Sequence, residues 1–180
     1  MYLNSISMAA IVLQKRGEEV AYQGRKKAKT SNILPVTDRN GYIIGTTGVI
    51  AGHHNDSYEL EQKLKNLIAD MKRNTLDDKG AFFNADSSFD TRAARKLRWN
   101  HGLLPNIAEN KRNRKAVKRG RKRQFNRAVY THCFVSERTF AGVDKFKTLL
   151  IRFERKAASC LGFHHLGFAL INLRNVMAKG

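Results

Sequence analysis

A short apolar run that ends at an acidic residue constrains the fold of this chain more than any other feature. It reads Gly-Ala-Phe-Phe-Asn-Ala-Asp over residues 80–86. Mainly apolar residues between a glycine and a polar turn predict a buried strand over residues 81–85. Helical patterns on both sides of the run predict an α/β fold, with a mixed sheet flanked by helices. Asp86 follows the strand at its carboxyl end, where open α/β sheets usually place their chemistry.

Two roles are open to Asp86. A carboxylate fixed at a strand end is a good metal ligand, because rigid elements hold ligands better than loops do. The same side chain can instead cap the helix predicted over residues 91–100, which has a face rich in Arg and Lys. Ser87, Ser88 and Asp90 are further candidate caps of that helix.

The charge balance points to a polyanionic partner. The 180 residues suit one domain, and they carry 34 Lys and Arg against 15 Asp and Glu, a formal net charge of +19. Such an excess is typical of proteins that bind nucleic acid. A basic surface that is merely solvated is the plainer alternative.

Residues 111–123 form the most basic segment. Nine of these thirteen residues are Lys or Arg, and none is acidic. Like charges keep such a run extended unless an anion neutralises it, so we expect a loop over residues 111–127 that binds DNA phosphates. The candidate contacts are Lys111, Arg112, Arg114, Lys115, Lys118, Arg119, Arg121, Lys122 and Arg123. A nuclear-localisation signal is the alternative in a eukaryotic host.

The cysteines argue against a disulfide framework or a zinc finger. Cys133 and Cys160 form no CxxC motif, and a reducing cytoplasm fits them. The N-terminus shows no basic leader before an apolar run, so no signal peptide is expected.

The most apolar segment, residues 161–177, predicts a buried helix rather than a membrane span, because it contains two histidines and an arginine. The predicted core stripe of this helix is Leu166, Leu170, Leu173 and Met177. His164 and His165 are expected in the core or on the surface rather than as metal ligands.

Patterns elsewhere predict the rest of the sheet. Residues 1–13 are typical of a strand that is broken in places. Residues 32–37 and 42–50 predict a hairpin about an Asp-Arg-Asn-Gly turn. Residues 103–108 predict a short strand, in which Pro105 suits a sheet edge.

A helix is predicted after the segment His-His-Asn-Asp-Ser at residues 53–57. Asp56 or Ser57 is the expected N-cap. The alternative, a metal site at the two histidines, is less favoured because adjacent residues do not share a helix face. The predicted buried face is Leu60, Leu64, Leu67, Ile68 and Met71.

Residues 125–156 carry the longest helical pattern. Its first stripe is Val135, Thr139, Val143, Phe146, Leu150 and Phe153. Glu137 lies on a second stripe among aromatic residues, where a carboxylate needs a partner. Arg138 or Lys145 can supply a salt bridge, and a metal ion is the alternative partner.

Six segments, taken together, resemble one family. They read GEEVAYQGRKKAKTSNILPVTD, AGHHNDSYELE, GAFFNADSSFDT, PNIAENKRNRK, SERTFAGVDKFKTLLIRFERKA and LGFHHLGFALINLRN, from about residue 17 to residue 175. In this order they resemble the bacterial insertion-sequence transposases of the DDE type. The resemblance implies an RNase H-like fold and metal-dependent cleavage and joining of DNA strands, with two Mg²⁺ or Mn²⁺ ions.

The resemblance also assigns the acidic site. Asp86 matches the second catalytic aspartate of the family and Glu137 the catalytic glutamate, which makes both of them implied metal ligands. Tyr2-Leu3-Asn4 stands where the family has Tyr-Leu-Asp, so Asn4 takes the position of the first aspartate. Because hard cations prefer anionic oxygen ligands, this asparagine should lower both metal affinity and catalysis.

Further positions follow from the same resemblance. Arg25, Lys26, Lys27 and Lys29 would lie near the bound DNA, and Tyr130 and Lys145 are further candidate DNA contacts. Tyr130 and Glu137 keep a family spacing in which an arginine holds DNA phosphates, but Cys133 occupies the arginine position and cannot replace it. Gly142 stands where the family has tryptophan, and it costs the helix about 1 kcal/mol.

Three functions are therefore open. The first is a transposase catalytic domain spanning residues 1–180, acting as a homodimer on terminal repeats and target DNA in the bacterial nucleoid. The second is an inactive remnant that only binds DNA, which Asn4, Cys133 and Gly142 favour. The expected absence of the family's N-terminal DNA-binding region favours it too. The third, a basic RNA-binding protein, would not explain the resemblance around Asp86 and Glu137.

Overall fold

A computed structural model describes residues 3–6, 10–13, 16–55, 58–73, 80–110 and 124–178 of the chain. Its elements are β1 Leu3–Ile6, β2 Ala10–Leu13, β3 Ala21–Gln23, β4 Ala28–Asp38, β5 Ile43–Ala51, α1 Leu60–Arg73, β6 Phe82–Ala85, α2 Arg92–Asn100, β7 Leu104–Ile107, α3 Arg127–Thr131, α4 Cys133–Val143, α5 Lys147–Leu150 and α6 Ala157–Met177. The predicted loop over residues 111–123 and the predicted N-caps Asp56 and Ser57 lie outside the described residues.

The strands form one mixed sheet around the long strand β4. The strand order is β2-β4-β1-β6-β7, and β3 and β5 also pair with β4. β1 runs antiparallel to β4 and parallel to β6, and β7 is parallel to β6. The expected mixed sheet is confirmed, and so are the broken first strand, the hairpin and Pro105 in the terminal strand β7.

The larger core lies between α1 and one face of the sheet. The predicted apolar face of α1 is confirmed, because all five of its residues are buried. They pack with Leu34 and Val36 of β4 and with Phe83 and Ala85 of β6. Since side chains alternate along a strand, Ile33 and Asn84 face the other side of the sheet, which α3, α4 and α6 cover.

The predicted single helix over residues 125–156 is wrong. The segment forms α3, α4 and α5, followed by an extended stretch. Phe146 takes a non-helical conformation before α5, so Leu149 is buried in place of Leu150. Ile151 then forms a bridge with Leu13 of the edge strand β2. Tertiary contacts thus override the helical period here.

The predicted core stripe of α6 is also wrong. The buried residues of α6 are Cys160, His164, Gly167, Phe168 and Ile171, whereas Leu166, Leu170, Leu173 and Met177 are exposed. Gly167 explains the difference, because a Cβ atom there would lie 2.6 Å from Leu149 Cδ1. The helix therefore approaches its neighbours through its smallest residue and leaves the larger apolar residues outside.

Gly142 of α4 lies beside an open cleft of about 330 Å³ between α4 and α6. A Cβ atom at this position would meet nothing closer than Ile171 Cδ1, at 3.9 Å. Gly142→Ala is therefore expected to raise the free energy of unfolding by about 1 kcal/mol, because alanine favours helices. Urea unfolding measures the gain. Gly167→Ala is the control, and a gain as large for Gly167→Ala would contradict this account.

His164 is buried, and only one of its two ring nitrogens forms a hydrogen bond within the described structure. Its Nδ1 donates to the Cys160 carbonyl at 2.9 Å, and its Nε2 has no hydrogen-bond partner among the described residues. Burial lowers the pKa of His164 below 6.5. The unfolded chain therefore takes up a proton at a higher pH than the folded protein does, and stability falls as the pH drops below about 6.5.

His164→Leu is expected to flatten this part of the stability curve between pH 7 and pH 5, as measured by urea unfolding. His165 is exposed one residue further along α6, so His165→Leu serves as the control and should keep the wild-type slope. An unchanged slope for His164→Leu would show that the buried imidazole does not cause the loss.

Candidate active site

Asp86 lies directly after β6, at the carboxyl end of the strand that pairs in parallel with β1. It is exposed, and its Oδ1 accepts a hydrogen bond of 2.6 Å from the Ser87 amide, which caps the 3₁₀ turn Ser87–Phe89. The local capping role is therefore present, but it belongs to this turn and not to α2. The exposed carboxylate remains accessible from solvent.

The predicted capping of α2 by Ser87, Ser88 or Asp90 is wrong. Thr91 caps this helix, because its Oγ1 accepts from the Ala94 amide at 3.1 Å. Asp90 instead forms a buried ion pair with Arg95, at 2.8 Å, and accepts from the Asn110 amide at 3.0 Å. These contacts fix the turn behind Asp86 and the chain that leads into the basic segment.

A buried asparagine network joins β6 and β7 to the start of α3. Asn106 Nδ2 donates to Asn84 Oδ1 at 2.7 Å and to the Asn126 carbonyl at 2.9 Å. Asn106 Oδ1 accepts from the Asn126 amide at 2.8 Å. Asn84 Nδ2 also donates to the Val129 carbonyl at 3.2 Å, inside α3. Because Asn84 is two residues before Asp86, the network ties α3 to the strand that carries Asp86.

The helix α4 is attached to the sheet next to Glu137. The Ser136 and Thr37 hydroxyls form a buried hydrogen bond of 2.6 Å, and Thr139 Oγ1 donates to the Gly41 carbonyl at 3.0 Å. Asn4 of β1 stands opposite Thr37 in the register of β1 and β4. Glu137 is thus held beside the strand that carries Asn4, and β6, which leads to Asp86, is the next strand.

Glu137 does not lie on a partly apolar face as expected. It is exposed, and it forms no ion pair with any residue in the described part of the chain. Arg138, one of its two expected partners, lies over the Phe134 ring, with 5.8 Å between the guanidinium carbon and the ring centroid.

Tyr130 of α3 lies close enough to Asp86 and Glu137 for the charges of both carboxylates to affect its phenol. Burial raises the pKa of its phenol, and negative charge on Cys133, Asp86 and Glu137 raises it further. The ring also packs on Phe125, with 5.1 Å between the centroids. Asp86 and Glu137, which are far apart in sequence, therefore act on the same phenol, and this phenol stays protonated at neutral pH.

The acidic residues fit a divalent cation only in part. Within the described ranges, no three His, Cys, Asp or Glu side chains gather as a metal site. Mg²⁺ is often held by one or two carboxylates, with water and substrate phosphates completing its shell. Asp86 and Glu137 suit that mode, because both are exposed oxygen donors. Asn4 adds no third carboxylate.

The basic cluster is placed away from the carboxylates. Arg25, Lys26 and Lys27 are exposed in the turn between β3 and β4, and Lys29 is exposed on β4. Val36, which pairs with Ile6 of β1, lies seven positions after Lys29 along β4. This corresponds to about 23 Å of strand. The cluster therefore lies toward the other end of β4 from the residues that pair with β1 beside Asp86.

Two further basic residues join this cluster in space. Arg16 and Arg155 line an open groove with Lys29 and Phe153. They meet because Ile151 bridges to Leu13. No local sequence signal marks them, since 139 positions separate them along the chain. Lys145 is exposed at the far end of α4, in the cleft beside Gly142.

In the described part of the chain, every helix is too short or too polar to cross a membrane. Residues 9–172 match the family described as DDE superfamily endonuclease. This span includes Asp86 and Glu137 and begins after Asn4. No curated protein and no solved structure gives a significant match. The mixed sheet with flanking helices is consistent with the RNase H-like fold of such nucleases, and the chain belongs to the DDE superfamily of endonucleases.

Proposed function

We propose that this chain is the catalytic domain of a bacterial insertion-sequence transposase of the DDE type, weakened at its first acidic position. It would cut and join the terminal repeats of its element and target DNA, as a homodimer in the bacterial nucleoid. The domain would span residues 1–180, with residues 111–127 as a DNA-binding segment whose last residue, Arg127, begins α3.

One structural observation carries the proposal. The Ser136–Thr37 hydrogen bond fixes α4 across the β1–β4 pair, so that Glu137 lies beside the strand of Asn4. Asp86 follows β6, the parallel neighbour of β1. The pairing of β1 with β6 and the attachment of α4 to β4 support a site in which Asn4, Asp86 and Glu137 would meet near the carboxyl ends of β1 and β6. The shared effect of Asp86 and Glu137 on Tyr130 supports this convergence.

Each residue has a specific task in this proposal. Asp86 and Glu137 would hold Mg²⁺ or Mn²⁺, and the bound metal would supply the activation of a water or a 3′-hydroxyl and charge stabilisation for the leaving oxygen at phosphorus. Protonated Tyr130 would donate a hydrogen bond to a phosphate oxygen. Arg25, Lys26, Lys27 and Lys29 would hold the DNA backbone further along the duplex.

The alternative is a chain that binds DNA without cutting it. Asn4 favours this alternative, because two carboxylates neutralise less of the charge of a metal ion than three do. Cys133, which lies near Tyr130, also favours it, because a thiol cannot form the bidentate phosphate contact of an arginine.

A variant with a carboxylate at position 4 distinguishes a chain that cuts DNA from one that only binds it. Asn4→Asp is expected to raise Mn²⁺-dependent cleavage of labelled duplex DNA by about 10²-fold, the scale of one well-placed group in an active site. Asn66→Asp, on the exposed face of α1, makes the same charge change elsewhere and should leave cleavage unchanged. DNA binding without cleavage by either variant would favour the inactive DNA-binding protein.

A further inference from the structure

The outer face of α6 is an exposed apolar seam. Its residues, with their exposed fractions, are Phe163 at 53%, Leu166 at 58%, Leu170 at 43%, Leu173 at 54% and Met177 at 73%. The opposite face of the same helix is buried in the fold through residues such as His164 and Phe168. The seam is therefore a second apolar surface on a helix that is already packed.

The seam has the spacing of a helix–helix contact. Its five members follow each other at intervals of three, four, three and four residues. This is the alternation of apolar positions by which one helix packs its side chains between those of another. A continuous row of this kind extends along most of the helix, which is about 31 Å long for its 21 residues.

The seam and the buried side of α6 are two separate apolar surfaces, because polar residues such as His165 and Arg174 lie elsewhere on the helix. An apolar face of a helix is normally covered. None of the described helices is long and apolar enough to cross a membrane, so α6 is not a membrane-spanning segment. Nucleic acid does not suit the seam either, because Arg174 is the only charged residue between residues 157 and 178. The surface that covers the seam should therefore be apolar protein.

A second copy of the chain fits these requirements. Each chain carries a net charge of +19, and the seam is a large surface on which two copies can meet without opposing their cations. Five large side chains, each about half exposed, would bury about 500 Å² per copy. The pair would then bury about 1,000 Å², which is the lower limit for a specific protein interface.

We propose that α6 is a homodimer interface, in which the seam of one copy packs on the same seam of a second copy about a two-fold axis. The biological use of this dimer, the pairing of two DNA ends, rests on the proposed function, but its formation needs neither DNA nor metal. The elements α4 and α5 pack on the buried side of α6, so Glu137 of α4 is not part of the seam.

Sedimentation equilibrium of the full chain, without DNA or metal and in high salt, tests the proposal. The wild-type chain is expected to dimerise as the protein concentration is raised to about 100 μM. Leu166→Glu combined with Leu173→Glu should give a monomer with unchanged helical circular dichroism. Trp99→Glu is the control, because Trp99 is 66% exposed on α2, outside the seam, and this variant should remain dimeric.

A milder variant covers the case in which two added charges disturb folding. Leu170→Gln keeps a good helix former at the centre of the seam and should weaken dimerisation at least about tenfold. A monomeric wild-type chain, or a seam variant that folds and stays dimeric, would overturn the proposal. Failure of DNA cleavage does not affect these measurements, so the dimer and the nuclease function are judged separately.

Discussion

In the Asn4→Asp background, Glu137→Gln and Asp86→Asn are each expected to lower metal-dependent DNA cleavage by about 10³-fold or more. Both substitutions keep the shape of the side chain and remove its charge. Asp86 follows β6 and Glu137 belongs to α4, so the two substitutions change different parts of the fold. The measurement is the single-turnover rate with Mn²⁺ on a labelled duplex.

The double variant adds a stricter test. If Asp86 and Glu137 act on the same metal ions, removing both should cost little more than removing either one. Asp70→Asn is the matched control, because Asp70 is an exposed carboxylate of α1 that pairs only with Arg73 in the described structure. A loss with Asp70→Asn as large as with Asp86→Asn would point to the charge of the chain rather than to the site.

The sequence predicted best the elements whose boundaries and buried side depend on their own residues rather than on distant parts of the chain. The strand β6 is a short apolar run bounded by Gly80 and a polar turn, and α1 buries one regular stripe. The helix α1 has a single apolar stripe, so its period defines the buried side, whereas β6 is marked by the short apolar run between its two boundaries. Asp86 could be placed at a strand end for the same reason.

The elements predicted wrongly were those with two candidate surfaces. In α6 both sides are apolar, and the side that is buried is chosen by the close approach of Gly167 to Leu149. After α5 the chain leaves the helical pattern at Ile151, which forms a bridge with Leu13 from the other end of the chain. Neither contact leaves a signal in the local sequence.

The asparagine network was missed for a related reason. Asn84, Asn106 and Asn126 are separated by about twenty residues each, and each one alone is an ordinary polar residue. Only the register of β6 and β7, which sets Asn84 opposite Asn106, shows that they form one unit. An asparagine inside an apolar strand such as β6 was the available signal, because a buried amide needs partners.

Asn106→Leu is expected to lower the free energy of unfolding by about 3 kcal/mol, because it removes three buried or part-buried hydrogen bonds, including the one to Asn84 Oδ1. It also releases the start of α3, so the Tyr130 phenol should become more exposed and its pKa should move back toward the ordinary value for tyrosine. Urea unfolding measures the stability, and ultraviolet titration measures the phenol.

Asn100→Leu is the matched control, because Asn100 is exposed at the end of α2 and a surface change of this kind usually costs less than about 0.5 kcal/mol. In the Asn4→Asp background, Asn106→Leu should also reduce cleavage under conditions where the variant remains folded, since Asp86 and Tyr130 lose their common support. A variant that unfolds more easily but cleaves at the full rate would limit the network to a structural role. Loss of both together would show that the same hydrogen bonds that stabilise β6 and β7 also position the site.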